Sequence, residues 1–187
     1  MKKLFYFTRT KTSGILAAAL FVGFAGSSAQ ALPLLGLEAG GIVGLNVGEH
    51  IRDININFNK SDLAYASYLS YGAYARLWIK TPLRIAPFIK WEDVATKGIA
   101  AEERFNNVQY GGVVGIPLLG IITPYIGGSY STFTRQYENT WAFNYGVHIT
   151  FPIVPIAFGI DGSFQRPKTE GHKVDLHRIG VTLALQF

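Results

Sequence analysis

Over much of this chain, apolar residues alternate with polar or small ones at a period of two, most cleanly at the C-terminus. There Ile179, Val181, Leu183, Leu185 and Phe187 fall on one face, and Arg178, Gly180, Thr182, Ala184 and Gln186 on the other. The preceding segment sets Ile156, Phe158, Ile160 and Phe164 against Ala157, Gly159, Asp161, Ser163 and Gln165. Before that, Trp141, Phe143, Tyr145, Val147, Ile149 and Phe151 oppose Ala142, Asn144, Gly146, His148 and Thr150. Successive side chains of a β-strand point to opposite faces, so three consecutive strands share one oily face and one small or polar face.

Pro and Gly punctuate the rest of the chain and predict eight strands, at about 34–47, 62–80, 85–93, 105–117, 122–135, 140–151, 156–165 and 174–187. Short turns fall at 81–84, 118–121 and 152–155, alternating with longer polar connections at 48–61, 94–104, 136–139 and 166–173. In the first connection Ile51, Ile54, Ile56 and Phe58 sit among Arg52, Asn55 and Asn57, a pattern that would extend strands beyond the sheet. The first strand is rich in glycine, with Gly36, Gly40, Gly41 and Gly44, and the second is long.

A soluble sandwich also alternates, so the direction of the oily face must be argued. Charge is scarce in the strands and gathers in the connections, at residues such as Arg52, Lys60, Glu103, Glu138, Lys168 and Glu170. A soluble ligand-binding barrel has the reverse arrangement, an apolar interior inside a charged exterior. Gly, Ala, Ser and Thr fit the inside of a narrow barrel, and the oily set carries aromatics near strand ends: Trp91, Tyr130, Trp141, Phe151, Phe158, Phe164 and Phe187. The expected fold is therefore all-β: a transmembrane, antiparallel, up-and-down barrel of about eight strands occupying residues 32–187. Short turns on one side and larger loops on the other agree with it.

The 187-residue chain is 49% apolar and has no cysteine, which removes disulfides, thiol nucleophiles and cysteine metal sites. Its first 31 residues read as a signal peptide. Lys2, Lys3, Arg9 and Lys11 precede an apolar stretch from Ile15 to Ala25, and Ala29-Gln30-Ala31 forms a cleavage pattern. That segment holds four of the 17 basic residues and none of the 12 acidic ones, so its removal lowers the net charge from +5 to +1. The basic balance thus belongs to the signal peptide, and no nucleic-acid partner is expected.

The C-terminal run Ile179-x-Val181-x-Leu183-x-Leu185-x-Phe187, closing on an aromatic residue, resembles the last strand of Gram-negative outer-membrane barrels. The size and strand number are similar to the small barrels of the OmpA transmembrane domain, OmpX and OmpW type. The resemblance implies an outer-membrane location among lipid and lipopolysaccharide. It also implies that the barrel-assembly machinery reads Ile179, Val181, Leu183, Leu185 and Phe187 as an assembly signal.

The chain carries few marks of chemistry: no phosphate-binding glycine loop, no H-E-x-x-H and no G-x-S-x-G is present. The four histidines are scattered, so no metal or other cofactor is expected. The leading reading is a non-catalytic, porin-like membrane protein with a structural role or a surface-interaction role through its external loops, its ligand unspecified. A barrel enzyme acting on lipid A or phospholipid is an alternative, because lipid A deacylases of this shape resemble one another in a His-x-Ser element near the last strands. The nearest counterpart is His148-Ile149-Thr150, with Thr150 at the serine position and on the inward face. Passage of small apolar solutes, implied by the OmpW resemblance, is another.

On the inward face, turns centred near Val154-Pro155 and Thr169-Glu170 bring His148 opposite or diagonal to Asp161, and Asp161 opposite Arg178. Glu38, Arg76, Lys90 and Glu92 extend this expected structural ionic cluster. The C-terminal reading is tested by Phe187→Asp, which is expected to reduce the heat-modifiable, outer-membrane form on gels. Undiminished accumulation would refute the assembly role of Phe187.

Overall fold

The computed structural model describes residues 34–46, 69–97, 102–134, 137–151, 153–169 and 172–187. The signal segment with Ala29 and Ala31, the connection at 48–61 and the expected strand start at 62–68 lie outside the described residues. The strands are β1 (Leu35–Asn46), β2 (Leu69–Lys80), β3 (Arg84–Lys97), β4 (Glu102–Gly115), β5 (Ile122–Phe133), β6 (Thr140–Phe151), β7 (Val154–Gln165), β8 (Lys168–Thr169), β9 (His172–Lys173) and β10 (Leu176–Gln186). Eight of them close into an antiparallel barrel in the order β1-β10-β7-β6-β5-β4-β3-β2, and β8 with β9 forms a separate two-stranded pair. Each barrel strand thus pairs with its neighbours in sequence, and β1 pairs with β10, from Glu38↔Gln186 to Asn46↔Arg178, to close the ring.

Closure follows from what the outer face meets. Val43, Ile89, Ile126, Ile160, Val181 and Leu183 all point outward and are exposed, as are Trp91, Trp141, Phe151, Phe158 and Phe187. A wall this apolar belongs in hydrocarbon, where an open sheet edge would leave backbone N–H and C=O groups without partners. The aromatics cluster toward the two ends of the wall. Tyr71 packs edge-on to Trp91 at 6.5 Å, and Tyr130 lies between Tyr110 and Trp141 at 5.7 and 5.4 Å. At the short-turn end, Phe151 meets Phe158 at 6.1 Å. Amphipathic and aromatic rings of this kind favour the boundary between hydrocarbon and headgroups.

Several boundaries differ from those the pattern predicts. The expected connection at 94–104 is largely paired, because β3 runs to Lys97 and β4 starts at Glu102, with Val94↔Phe105 and Lys97↔Glu102 in register. Val94 and Phe105 both bury inside the mouth of the barrel, which rewards continuing the ladder past the apolar wall. The turn expected at 152–155 is shorter, since β7 begins at Val154. The connection at 166–173 contains β8 and β9, paired Lys168↔Lys173 and Thr169↔His172. This continues the register of β7 with β10, in which Gln165 faces Leu176.

Arginine at Val181 (63% exposed) or Ile160 (52% exposed) places a charge on the lipid side of adjacent strands. Each is expected to cost about 2–4 kcal/mol if near the bilayer midplane, measured by urea unfolding in phospholipid vesicles. Unchanged stability of both variants would reverse the assigned facing.

Candidate functional site in the barrel lumen

The inward positions of the strands bury a charged cluster. Glu38, Arg76, Lys90, Glu92, His148, Asp161 and Arg178 are each at most 4% exposed. Every one sits at the inward parity of its strand, so alternation alone turns them into the lumen. Eight strands leave an interior that side chains just fill, which forces these groups onto one another.

Asp161 is the centre. Its Oδ1 accepts hydrogen bonds from Lys90 Nζ at 2.8 Å and from Arg178 Nη2, and its Oδ2 from Arg76 Nη2 at 2.7 Å and the Tyr125 hydroxyl at 2.8 Å. One carboxylate is therefore engaged by three cations from three different strands. Glu92 shares two of those cations: its Oε1 lies 2.8 Å from Arg178 Nε and its Oε2 lies 3.6 Å from Lys90 Nζ. Arg76 is also flanked by rings, its guanidinium carbon 4.7 Å from the Tyr74 centroid and 4.8 Å from that of Tyr125.

Glu38 forms the second focus. It accepts hydrogen bonds from the Tyr74 hydroxyl and Trp78 Nε1, both at 2.5 Å, and lies 3.0 Å from His148 Nε2 and 3.9 Å from Arg76 Nη1. The His148 ring stacks on Trp78 with centroids 5.1 Å apart. Glu38, Glu92 and Asp161 balance Arg76, Lys90 and Arg178 in formal charge, the arrangement that keeps buried ions tolerable.

The expected trio is thus split. Asp161 and Arg178 are in contact, whereas the carboxylate nearest His148 is that of Glu38. Asp161 lies diagonal to His148, directly across from Gly146. The expectation that Asp161 stands opposite Arg178 is corrected by the register, which sets Asp161 against Gly180 and Arg178 against Ser163. The reason is the position of the hairpin tip: Thr169↔His172 pairing shifts the centre one residue beyond Thr169-Glu170, and Arg178 moves two positions along. Contact survives because Gly180 has no side chain. A Cβ there would lie 2.7 Å from Arg178 Nη1, in the space the guanidinium crosses to reach Asp161.

Sequence reasoning omitted Tyr74, Trp78 and Tyr125, the neutral donors that complete the hydrogen bonding of Glu38 and Asp161. Their inward parity was the available signal. It also omitted a layer of amides and hydroxyls. Ser129 donates to Asn144 at 2.7 Å, Asn144 Nδ2 to Gln109 Oε1 at 2.9 Å, and Ser131 to Gln165 at 2.6 Å. Apolar layers flank the polar ones. Trp78, Ala86, Phe88, Val113 and Tyr125 pack toward the short-turn end, and Val94, Phe105, Tyr137 and Leu176 pack inside the loop-end mouth.

Thr150, the counterpart of a deacylase serine, points its hydroxyl toward the turn carbonyl of Ile121 at 3.4 Å. On the outer wall the Tyr145 hydroxyl lies 2.5 Å from His177 Nε2. Among the described residues no group of three or more His, Cys, Asp or Glu side chains is arranged to hold a metal ion. The C-terminal residues Ile179, Val181, Leu183, Leu185 and Phe187 all face outward and are exposed.

No family model matches the chain, and no curated protein matches it in sequence. Solved structures similar to it include Neisserial surface protein A, with 9% identity over 81% of this chain and 95% of the other at a TM-score of 0.49. The N-terminal β-barrel domain of Pseudomonas aeruginosa OprF has 10% identity over 81% and 97% at 0.48. The attachment invasion locus protein Ail of Yersinia pestis has 9% identity over 82% and 97% at 0.47. Likeness at this level says nothing about ligand or activity. The class of the fold stands on the chain's own closed eight-stranded ring, apolar outer wall and polar lumen, which together are the architecture of small outer-membrane barrels.

Asp161→Ala removes the anion from among Arg76, Lys90 and Arg178. Uncompensated buried charge is expected to lower unfolding stability by about 3–5 kcal/mol, read as a drop in the urea midpoint in vesicles. A variant as stable as the parent would contradict the central role given to Asp161.

Proposed function

We propose that this chain is a non-catalytic integral protein of the bacterial outer membrane that acts structurally or through its loop-end surface, with a lumen that is a plug rather than a channel. The observation that carries this reading is the closed set of contacts around Asp161 and Glu38, bounded by apolar layers toward both ends of the barrel. Charged groups so engaged with one another favour a filled lumen over an open aqueous path. The same engagement argues against the hydrolase alternative. His148 is held by Glu38 and stacked on Trp78. The mouth cluster of Val94, Phe105, Tyr137 and Leu176 argues against apolar-solute passage through the loop end.

The partners proposed are outer-membrane lipid and lipopolysaccharide around the barrel, and the barrel-assembly machinery during biogenesis, acting on the strand that ends at Phe187. The loop end favours an anionic surface partner. Beyond Phe164 and His177 the β7–β10 hairpin continues as Arg166 and Asp175, ion-paired at 2.7 Å, and then as the exposed Lys168 and Lys173, set directly across from each other. Like charges in that position repel unless an anion such as a lipopolysaccharide phosphate lies between them.

Planar-bilayer recordings of the refolded protein are expected to show no stable open level, and lipid A from cells expressing it is expected to keep its mass. A steady conductance would refute the plug, and a mass loss of one acyl chain would establish the enzyme reading in its place.

A further inference from the structure

The short-turn end of the barrel has a surface unlike that of a water-facing turn. Leu119 and Ile153, at the tips of the β4–β5 and β6–β7 turns, are 93% and 95% exposed. Leu34, Leu83 and Ile116 are more than half exposed beside them. Leu34 belongs to this end because its carbonyl accepts a hydrogen bond from Lys80 N at 2.7 Å.

Leu119 is the most unusual of these residues. Its φ is +52° and that of Gly120 is +73°, and Ile121 N donates to Leu118 O at 3.2 Å, which closes a tight hairpin turn. A left-handed backbone suits Gly, Asn or Asp and disfavours a branched apolar residue. A leucine fully exposed at such a position gains nothing from water and nothing from the backbone. Its neighbours do not shield it, so what rewards it must come from outside the barrel.

Three features identify that medium. The tips are continuous with the apolar outer wall through Ile85, Ile122 and Phe151, so the lipid that covers the wall reaches them without a break. No Asp or Glu occurs among the described residues of 34–37, 78–86, 113–124 and 149–157, and the cations at the strand ends turn inward: Lys80 lies over Gly36, and Arg84 Nη1 donates to the buried Thr123 hydroxyl at 3.0 Å. Apolar tips that continue an apolar wall without acidic side chains between them are the pattern of a surface lying at the boundary between lipid headgroups and acyl chains. The prolines Pro82 and Pro117 lie beside the tips and limit their freedom to fold back.

The geometry points to a membrane-immersed turn end: Leu83, Leu119 and Ile153 lie in the headgroup and acyl boundary of the inner leaflet. This rests on the proposed reading of the chain as an outer-membrane barrel with its loops outward. It goes further by naming the medium of the other end, so that the barrel is held by lipid at its turns as well as along its wall.

The chain has no cysteine, so single labels can be placed at will. Leu119→Cys, Ile153→Cys, Val181→Cys and Lys168→Cys, each carrying a bimane fluorophore, are refolded into vesicles of phosphatidylethanolamine and phosphatidylglycerol. Quenching is read with bromine-labelled lipids and with iodide on both sides of the membrane. Labels at 119 and 153 are expected to be quenched by shallow brominated lipid and shielded from iodide, as the label at 181 is shielded, while the label at 168 stays open to iodide. Leu119→Asn supplies a second reading, because asparagine relieves the backbone and loses the apolar contact. It is expected to lower the urea midpoint in these vesicles. Iodide access at 119 and 153 equal to that at 168, with 181 still shielded, would overturn the immersed turn end alone, as would a raised midpoint for Leu119→Asn. Iodide access at 181 as well would overturn the barrel reading itself.

Discussion

A β-strand carried into hydrocarbon must pair every backbone N–H and C=O with another strand, since no water is there to substitute. In this chain that requirement is met where β1 joins β10, from Glu38↔Gln186 to Asn46↔Arg178. Without that seam two edges would face lipid. With it the ring is fixed, and each strand must send alternate residues to a bilayer and to a narrow lumen. The oily outer wall and the charged interior are two results of one backbone constraint.

The lumen then sets its own problem. Bringing Asp161, Glu92 and Glu38 inside a ring of eight strands removes them from water, a loss that only opposite charge and hydrogen bonds offset. Arg76, Lys90 and Arg178 supply the charge, and Tyr74, Trp78 and Tyr125 supply neutral donors. The glycines matter here for volume: Arg178 crosses above Gly180 to reach Asp161, a path that a side chain would block. A similar economy acts outside, where Tyr145 lies over Gly162 on its way to His177, and a Cβ at Gly162 would come within 2.7 Å of the tyrosine hydroxyl.

The two ends of the barrel answer to different surroundings. At the loop end the strands outlast the apolar wall, as the paired Val94 and Phe105 and the Lys168–Lys173 hairpin demonstrate, and aliphatic and aromatic side chains pack together inside the mouth. At the turn end the strands stop quickly and their tips are apolar. The two ends thus differ in kind, with extended paired structure on one side and compact, oily turns on the other.

Much of this was legible in the chain itself. Period-two alternation set the strands and their faces, and parity alone turned Glu38, Arg76, Lys90, Glu92, His148, Asp161 and Arg178 inward. What alternation does not carry is register. A hairpin tip displaced by one residue keeps every side chain on its proper face yet moves its cross-strand partner by two, which is how Gly180 came to stand opposite Asp161. Nor does local pattern reveal partners across the ring. His148 meets Glu38 only because barrel closure brings the first strand round to face the sixth, a contact between residues far apart in sequence that no turn or periodicity encodes. The sequence determined which groups enter the lumen, because facing depends on neighbours one residue apart. Which group meets which was decided by the tertiary structure, because pairing depends on the closure of the whole ring.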